Sequence, residues 1–268
     1  MVVRTVPART GLTWLRDALA LYRRQPFAFT SLVILYTMGV SLLVYIPFIG
    51  MPLAAVLIPF GTIGLTLAGR EAERGVMPLP TLMVQPFRDM QQRKALTRLG
   101  LVHAGLVLLL VLLAWILAAD ELANWKMIDG QIDKTSAAQN FPWDAFVVAA
   151  IGYLPILMLT WFAPQLVAWH GQPIGKALFF SFFACWRNRW PFLTLGAALF
   201  ALAFGVVFIV TQSLQAFGAS PQLASLLFAP MLLVLISVGY ATQYPIYRSL
   251  LEPPDGRALA HTDPPEKN

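Results

Sequence analysis

Residues Gln25 to Gly69, 45 in a row, include no Asp, Glu, Lys or Arg. As a single helix this stretch would reach about 68 Å, over twice a hydrocarbon core of roughly 30 Å. It has to turn back, and Pro47-Phe48-Ile49-Gly50-Met51-Pro52 supplies the turn. Spans are therefore expected at about 27–46 and 52–69. Further apolar runs place spans at about 99–119, where His103 is the one ionisable residue, and at about 145–169. The charge-free stretch from Trp190 to Tyr247 breaks at Gly218-Ala219-Ser220-Pro221, giving spans at about 191–216 and 222–246. Lipid offers no hydrogen-bond partners, so each span must close its own backbone as a helix. The runs are solid rather than alternating, which excludes the pattern of a membrane β-barrel. The expected fold is an all-α integral membrane domain of six transmembrane helices over residues 1–252. A tail over 253–268, with four prolines and mixed charge, is expected to be disordered and cytoplasmic.

Composition agrees. Hydrophobic residues make up 58% of the 268 and charged residues 12%. Soluble domains carry about 45–50% and about 25% respectively, so an ordinary soluble enzyme and a disordered chain are both excluded. The net charge of +6 is explained by where the charges fall, and no nucleic acid is needed to account for it. Of the 19 Lys and Arg, 17 lie in the N-terminal segment, the 70–98 and 170–190 segments and the C-terminal segment, all on one side of a six-span chain. Only Lys126 and Lys134, in the loop 120–144, lie on the other. That asymmetry predicts a bacterial inner-membrane protein with both termini cytoplasmic. The first apolar run, about 20 residues long, exceeds the 7–15-residue core of a cleavable signal peptide.

A short prelude comes before each pair of spans. Gly11 to Arg24 places Leu12, Leu15, Leu19 and Tyr22 at helical spacing, and Pro26-Phe27 then opens a span. Pro173 to Trp190 does the same before Pro191-Phe192, and Leu79 to Arg98 is a weaker third case. Three membrane hairpins are expected, each preceded by an amphipathic helix in the headgroup layer on the cytoplasmic side. Pro59, Pro155, Pro164 and Pro230 fall in the second helix of a pair. Ala197, Ala201 and Gly205, and likewise Gly64 and Ala68, form small-residue faces expected to pack inside the molecule.

Catalytic signatures are missing. The chain has no nucleotide loop, no Gly-x-Ser-x-Gly elbow and no His-Glu-x-x-His. Ser181 and Cys185 share a helix face, but no base is placed beside them by sequence. His103 and His170 supply too few ligands for a metal, and the acids of loop 120–144 lack an EF-hand pattern. The lone Cys185 allows no internal disulfide. The expectation is a protein without enzymatic activity, cofactor or metal. The spans carry no carboxylate, lysine or arginine, which argues against coupled transport through a buried acid. The main constellation is basic and aromatic: Arg9, Arg16, Arg23, Arg24, Lys176, Arg187 and Arg189 with Trp14, Trp186 and Trp190. Such residues at an interface suit phospholipid headgroups or a membrane partner.

Pro7-Ala8-Arg9-x-Gly11-x-x-Trp14 resembles an uncharacterised family of six-span inner-membrane proteins from β-proteobacteria. So do Trp161-Phe162-Ala163-Pro164-x-x-Val167-Ala168-Trp169-His170-Gly171, Lys176-Ala177-Leu178-Phe179-x-Ser181 and Ala184-Cys185-Trp186-Arg187-Asn188. The resemblance implies location and fold and no activity. The helix from Lys176 to Asn188 is also similar to the membrane domain attached to some glycerophosphodiester phosphodiesterases, without their catalytic domain. The leading expectation is a structural or regulatory envelope protein that contacts lipid headgroups or a partner. The alternative is a small-molecule or lipid transporter built on proline-broken helices. A polar cavity reaching the membrane interior, lined by residues such as Thr160, Gln165, Gln212 or Gln243, separates the two. A dry, packed bundle opposes transport.

Overall fold

The computed structural model describes residues 3–216, 218 and 221–251. The tail expected to be disordered, 253–268, lies outside the described residues. The fold is all-α, and among the described residues six helices are long and apolar enough to cross a membrane.

In chain order, α1 (Thr10–Arg24) leads into α2 (Pro26–Val44) and α3 (Gly50–Glu73). Then α4 (Thr81–Arg88) leads into α5 (Met90–Leu117), followed by α6 (Ala119–Ala123), an antiparallel pair β1 (Met127–Ile128) and β2 (Gln131–Ile132), and α7 (Lys134–Gln139). The fourth span is α8 (Trp143–Thr160) continued by α9 (Ala163–Ala168). Next α10 (Ile174–Arg187) leads into α11 (Arg189–Ala216), and the last span is α12 (Pro221–Ala241) continued by α13 (Gln243–Leu250).

Several boundaries shift for local reasons. Asp89 caps α5 by accepting from the amides of Gln91 and Gln92 at 2.7 and 3.0 Å, so this helix starts nine residues before the expected span. The weak prelude Leu79 to Arg98 thus divides between α4 and the first turns of α5. Pro26 opens α2 at its first position, and Pro191 sits in the first turn of α11, where an amide has no helical partner to lose. The β pair was not expected from sequence, although Asp129-Gly130 carries the signal for it. Both residues have positive φ, 52° and 75°, as a two-residue hairpin turn requires. Asp133 lies between β2 and α7. It caps α7, and the amides of Ser136 and Thr135 that it accepts hold its carboxyl below the usual range.

Each short leading helix packs mainly on spans other than the one it leads into. Helix α4 lies on α3, α10 on α8 and α9, and α1 on α11 and α12 of the last pair. The approach is close where glycine permits it. A Cβ on Gly11 would fall 2.3 Å from the Pro191 carbonyl oxygen, and one on Gly100 of α5 would fall 2.2 Å from that of Val56 in α3. The face of α1 bearing Gly11, Trp14, Ala18 and Leu21 is buried in protein, not laid into headgroups.

The core sits at one end of the bundle, the end that carries Arg23, Arg24 and Arg187. Phe29 and Leu32 of α2, Leu96 and Leu99 of α5, and Ile246 and Tyr247 of α13 are buried there. Toward the opposite end fewer residues are buried, and Leu109, Trp115 and Ile116 are exposed. Helix α11 is the least enclosed, with only Pro191 and Leu195 buried. Its small-residue face is therefore not packed inside as expected. Ala197 and Ala201 are exposed, and a Cβ on Gly205 would meet nothing within 4 Å. The Gly64–Ala68 face does pack, Gly64 against Met83 of α4.

Candidate functional site

Two spans are interrupted where they enter the core. Pro164 has no N–H to give the Thr160 carbonyl four residues back, and α8 ends there. Ser181 of α10 bridges the gap: its hydroxyl accepts from the Phe162 amide at 2.9 Å and donates to the Met158 carbonyl at 2.8 Å. Pro245 likewise has no N–H for the Ala241 carbonyl, and α12 gives way to α13. Here Thr242 turns its amide and hydroxyl back to the Gly239 carbonyl. Pro59, Pro155 and Pro230 stay within continuous helices.

Both breaks border one cavity of about 230 Å³. Trp161, Phe162 and Gln165 line it from the first break, and Tyr240 and Gln243 from the second. Tyr36 of α2, Thr62 of α3, His103 of α5, and Tyr153 and Thr160 of α8 complete the polar and aromatic wall. Tyr36 is in the middle of its span, so the cavity extends into the membrane interior. Gly61 makes room for that ring: a Cβ there would lie 2.1 Å from Tyr36 Cε2. The Tyr36 and Tyr240 rings meet edge to face at 5.7 Å.

Among the described residues, no Asp, Glu, Lys or Arg lines the cavity. Its hydrogen bonding is unbalanced. Thr62 and Thr160 donate their hydroxyl protons to the Ile58 and Ile156 carbonyls, which leaves only oxygen lone pairs. Gln165 is oriented by a chain of bonds. Thr66 donates to the Thr62 carbonyl at 2.7 Å, so its oxygen accepts the Gln165 amide N–H at 3.3 Å. Among the described residues, Gln165 Oε1 has no hydrogen-bond partner, nor do Gln243 Oε1 and the two ring nitrogens of His103. Gln165 is 2% exposed and His103 3%. A buried polar atom left without water or another partner costs about 1–3 kcal/mol, and four such atoms gather around this cavity.

Three of the four residues that separate the two functional readings, Thr160, Gln165 and Gln243, line this cavity. Gln212 is exposed on α11 instead. His103 belongs to the cavity wall, whereas His170 lies beyond α9 with Nε2 3.2 Å from the Tyr247 hydroxyl. The two histidines do not form a joint site, and no cluster of three or more potential metal ligands occurs among the described residues. Ser181 bridges the helix break. Cys185 is buried, and burial pushes its thiol up to about 12.

The basic-aromatic constellation divides. Arg9, Arg16, Arg23 and Arg24 are exposed along α1, with Arg24 donating to the Glu73 carbonyl. Trp14 does not belong with them. It is 1% exposed, its indole N–H donates to Ser249 Oγ at 2.8 Å, and its ring packs on Phe192, so it is a core residue out of reach of lipid. Lys176, Trp186, Arg187, Arg189 and Trp190 are all exposed. The Arg189 guanidinium lies 5.6 Å from the ring centres of both Trp186 and Trp190. Sequence reasoning missed Tyr36, Tyr153 and Tyr240 as site residues, because nothing along the chain marks three tyrosines on three spans as neighbours.

Six apolar helices with a cavity inside them define a multi-pass membrane protein. The chain is 35% identical over 255 residues, 91% of each protein, to a probable inner membrane protein of Burkholderia thailandensis. It belongs to that family of inner-membrane proteins. No family model matches the chain, and no solved structure matches it. The likeness to a phosphodiesterase membrane domain finds no support in these comparisons.

Proposed function

We propose that this protein binds and passes a small molecule through the membrane, without enzymatic activity and without a buried carboxylate. The observation that carries this reading is the charge-free polar cavity bounded by two interrupted helices. Discontinuous spans of this kind line substrate sites because their freed carbonyls face a cavity instead of lipid. Cysteine accessibility tests it. Thr160→Cys is expected to react with a small hydrophilic thiosulfonate in membranes, whereas Leu154→Cys, on a lipid-exposed position, is not. No reaction at Thr160→Cys or at Thr62→Cys would mean a dry bundle and would sink the proposal.

The 17-to-2 distribution of basic residues supports a topology with both termini in the cytoplasm. Cys185, buried and held as a neutral thiol, is a silent background for the test. A membrane-impermeant maleimide is expected to label Gln131→Cys in intact spheroplasts and to leave the unsubstituted protein unlabelled until it is denatured. Labelling of Gln131→Cys only after the membrane is opened would reverse the orientation.

A second reading, contact with phospholipid headgroups, is favoured by Arg189 lying between two exposed tryptophans. Arg23, Arg24, Arg187 and Arg189 replaced together by Gln are expected to weaken binding of anionic phospholipid to the purified protein. Binding of zwitterionic phospholipid should not change. Equal loss for both lipids, or for neither, removes headgroup charge as the recognised feature.

A further inference from the structure

We infer that the cavity between the two interrupted spans is a site for a small organic ammonium ion. This rests on the cavity being a binding site, and goes on to name what it binds.

The wall is rich in acceptors. Thr62 and Thr160 have already committed their protons to backbone carbonyls, so their oxygens can only accept. The bond chain through Thr66 leaves Gln165 Oε1 as an acceptor, and Gln243 Oε1 is another. A neutral His103 offers one more acceptor and a single donor. A carboxylate or phosphate placed here would find no cation, only the neutral O–H and N–H groups of the tyrosines, Trp161 and Gln243. An N–H-bearing cation would meet partners on several sides.

Aromatic rings supply the second half of the argument. Tyr36, Tyr153, Tyr240, Trp161 and Phe162 enclose the same space. Ring faces attract a desolvated cation, which offsets part of its lost hydration without a carboxylate. Helix ends act in the same direction. Both α8 and α12 bring their carbonyl ends to the cavity, the negative ends of their dipoles. The short helices α9 and α13 present their amide ends there, but Pro164 and Pro245 each remove a donor, and Ser181 occupies the Phe162 amide. The volume of about 230 Å³ equals roughly seven or eight waters, enough for an ammonium group on a single small ring or short chain.

The test uses the full-length protein in detergent and three probes of similar size: benzylammonium, benzyl alcohol and benzoate. Calorimetric titration is expected to give benzylammonium a Kd at least about tenfold below that of benzyl alcohol, with benzoate not binding. Gln165→Leu should weaken benzylammonium about tenfold. Gln165→Glu, which keeps the shape and adds charge, should tighten benzylammonium and leave benzyl alcohol unchanged, so the inference does not hang on one variant that fails to fold. Benzyl alcohol binding as well as benzylammonium would overturn the ammonium assignment while leaving a binding cavity. No binding by any probe would also overturn it, and the Thr160→Cys reaction then decides whether the broader proposal falls too.

Discussion

Replacing Asn188 with alanine is expected to lower the stability of the folded protein by about 3 kcal/mol. Asn188 is fully buried where α10 passes into α11. Its Oδ1 accepts from the Val6 amide at 3.0 Å, and its Nδ2 donates to the carbonyls of Arg4 and Ala184 at 3.0 and 2.9 Å. Arg4 in turn donates its amide to the Leu250 carbonyl at 3.1 Å. One side chain therefore ties the segment before α1 to the α10–α11 junction, and that segment reaches α13. Alanine takes the side-chain partner from the Val6 amide and the Arg4 carbonyl, while the Ala184 carbonyl keeps the amide of residue 188, and the net loss exceeds that of a single exposed hydrogen bond. Denaturant titration in mild detergent measures it. A change below about 0.5 kcal/mol would show that water replaces the amide without cost, and the pinning role would be wrong.

The second large effect is expected at Ser181. Ser181→Ala deprives both the Phe162 amide and the Met158 carbonyl of their partner, in a place closed to solvent. The expected cost is about 2–3 kcal/mol. Ser181→Thr, which retains the hydroxyl, should recover part of it. Cys185→Ala, on the same face of α10, removes a buried thiol that no buried amide depends on, and should cost about 1 kcal/mol or less. The same change at Ser181 disturbs Trp161 and Phe162 in the cavity wall, so it should also slow the reaction of Thr160→Cys. If Ser181→Ala and Cys185→Ala cost the same, the α8–α9 break is held by packing and not by this hydroxyl.

The bundle's own glycines show why parts of this fold were legible and others were not. Gly64 and Ala68 read from sequence as a packing face, and they pack. Ala197, Ala201 and Gly205 read the same way and stand open, because α11 leans on α1 at one end only. Spacing says which residues share a face, but not whether another helix arrives to cover it. Trp14 is a similar case. Beside four arginines on an amphipathic segment it reads as a lipid anchor, yet α1 folds back onto the last pair of spans and buries it.

The positions of the six spans follow from the sequence alone, because hydrocarbon excludes charge and forces each long apolar run to satisfy its backbone as helix. The absence of carboxylates, lysines and arginines from the apolar runs follows equally directly, and the charges that the helices do carry sit toward their ends. What only the tertiary structure decides is which prolines break a helix and what gathers at the break. Pro59, Pro155 and Pro230 are absorbed within continuous helices, while Pro164 and Pro245 end one helix and begin another. The difference at Pro164 is a hydroxyl from another helix, Ser181, that takes over the backbone partners left by the interruption. The cavity depends on the same long-range placement. Tyr36, His103, Tyr153 and Tyr240 are far apart in the chain and come together only when the spans close around two interrupted helices.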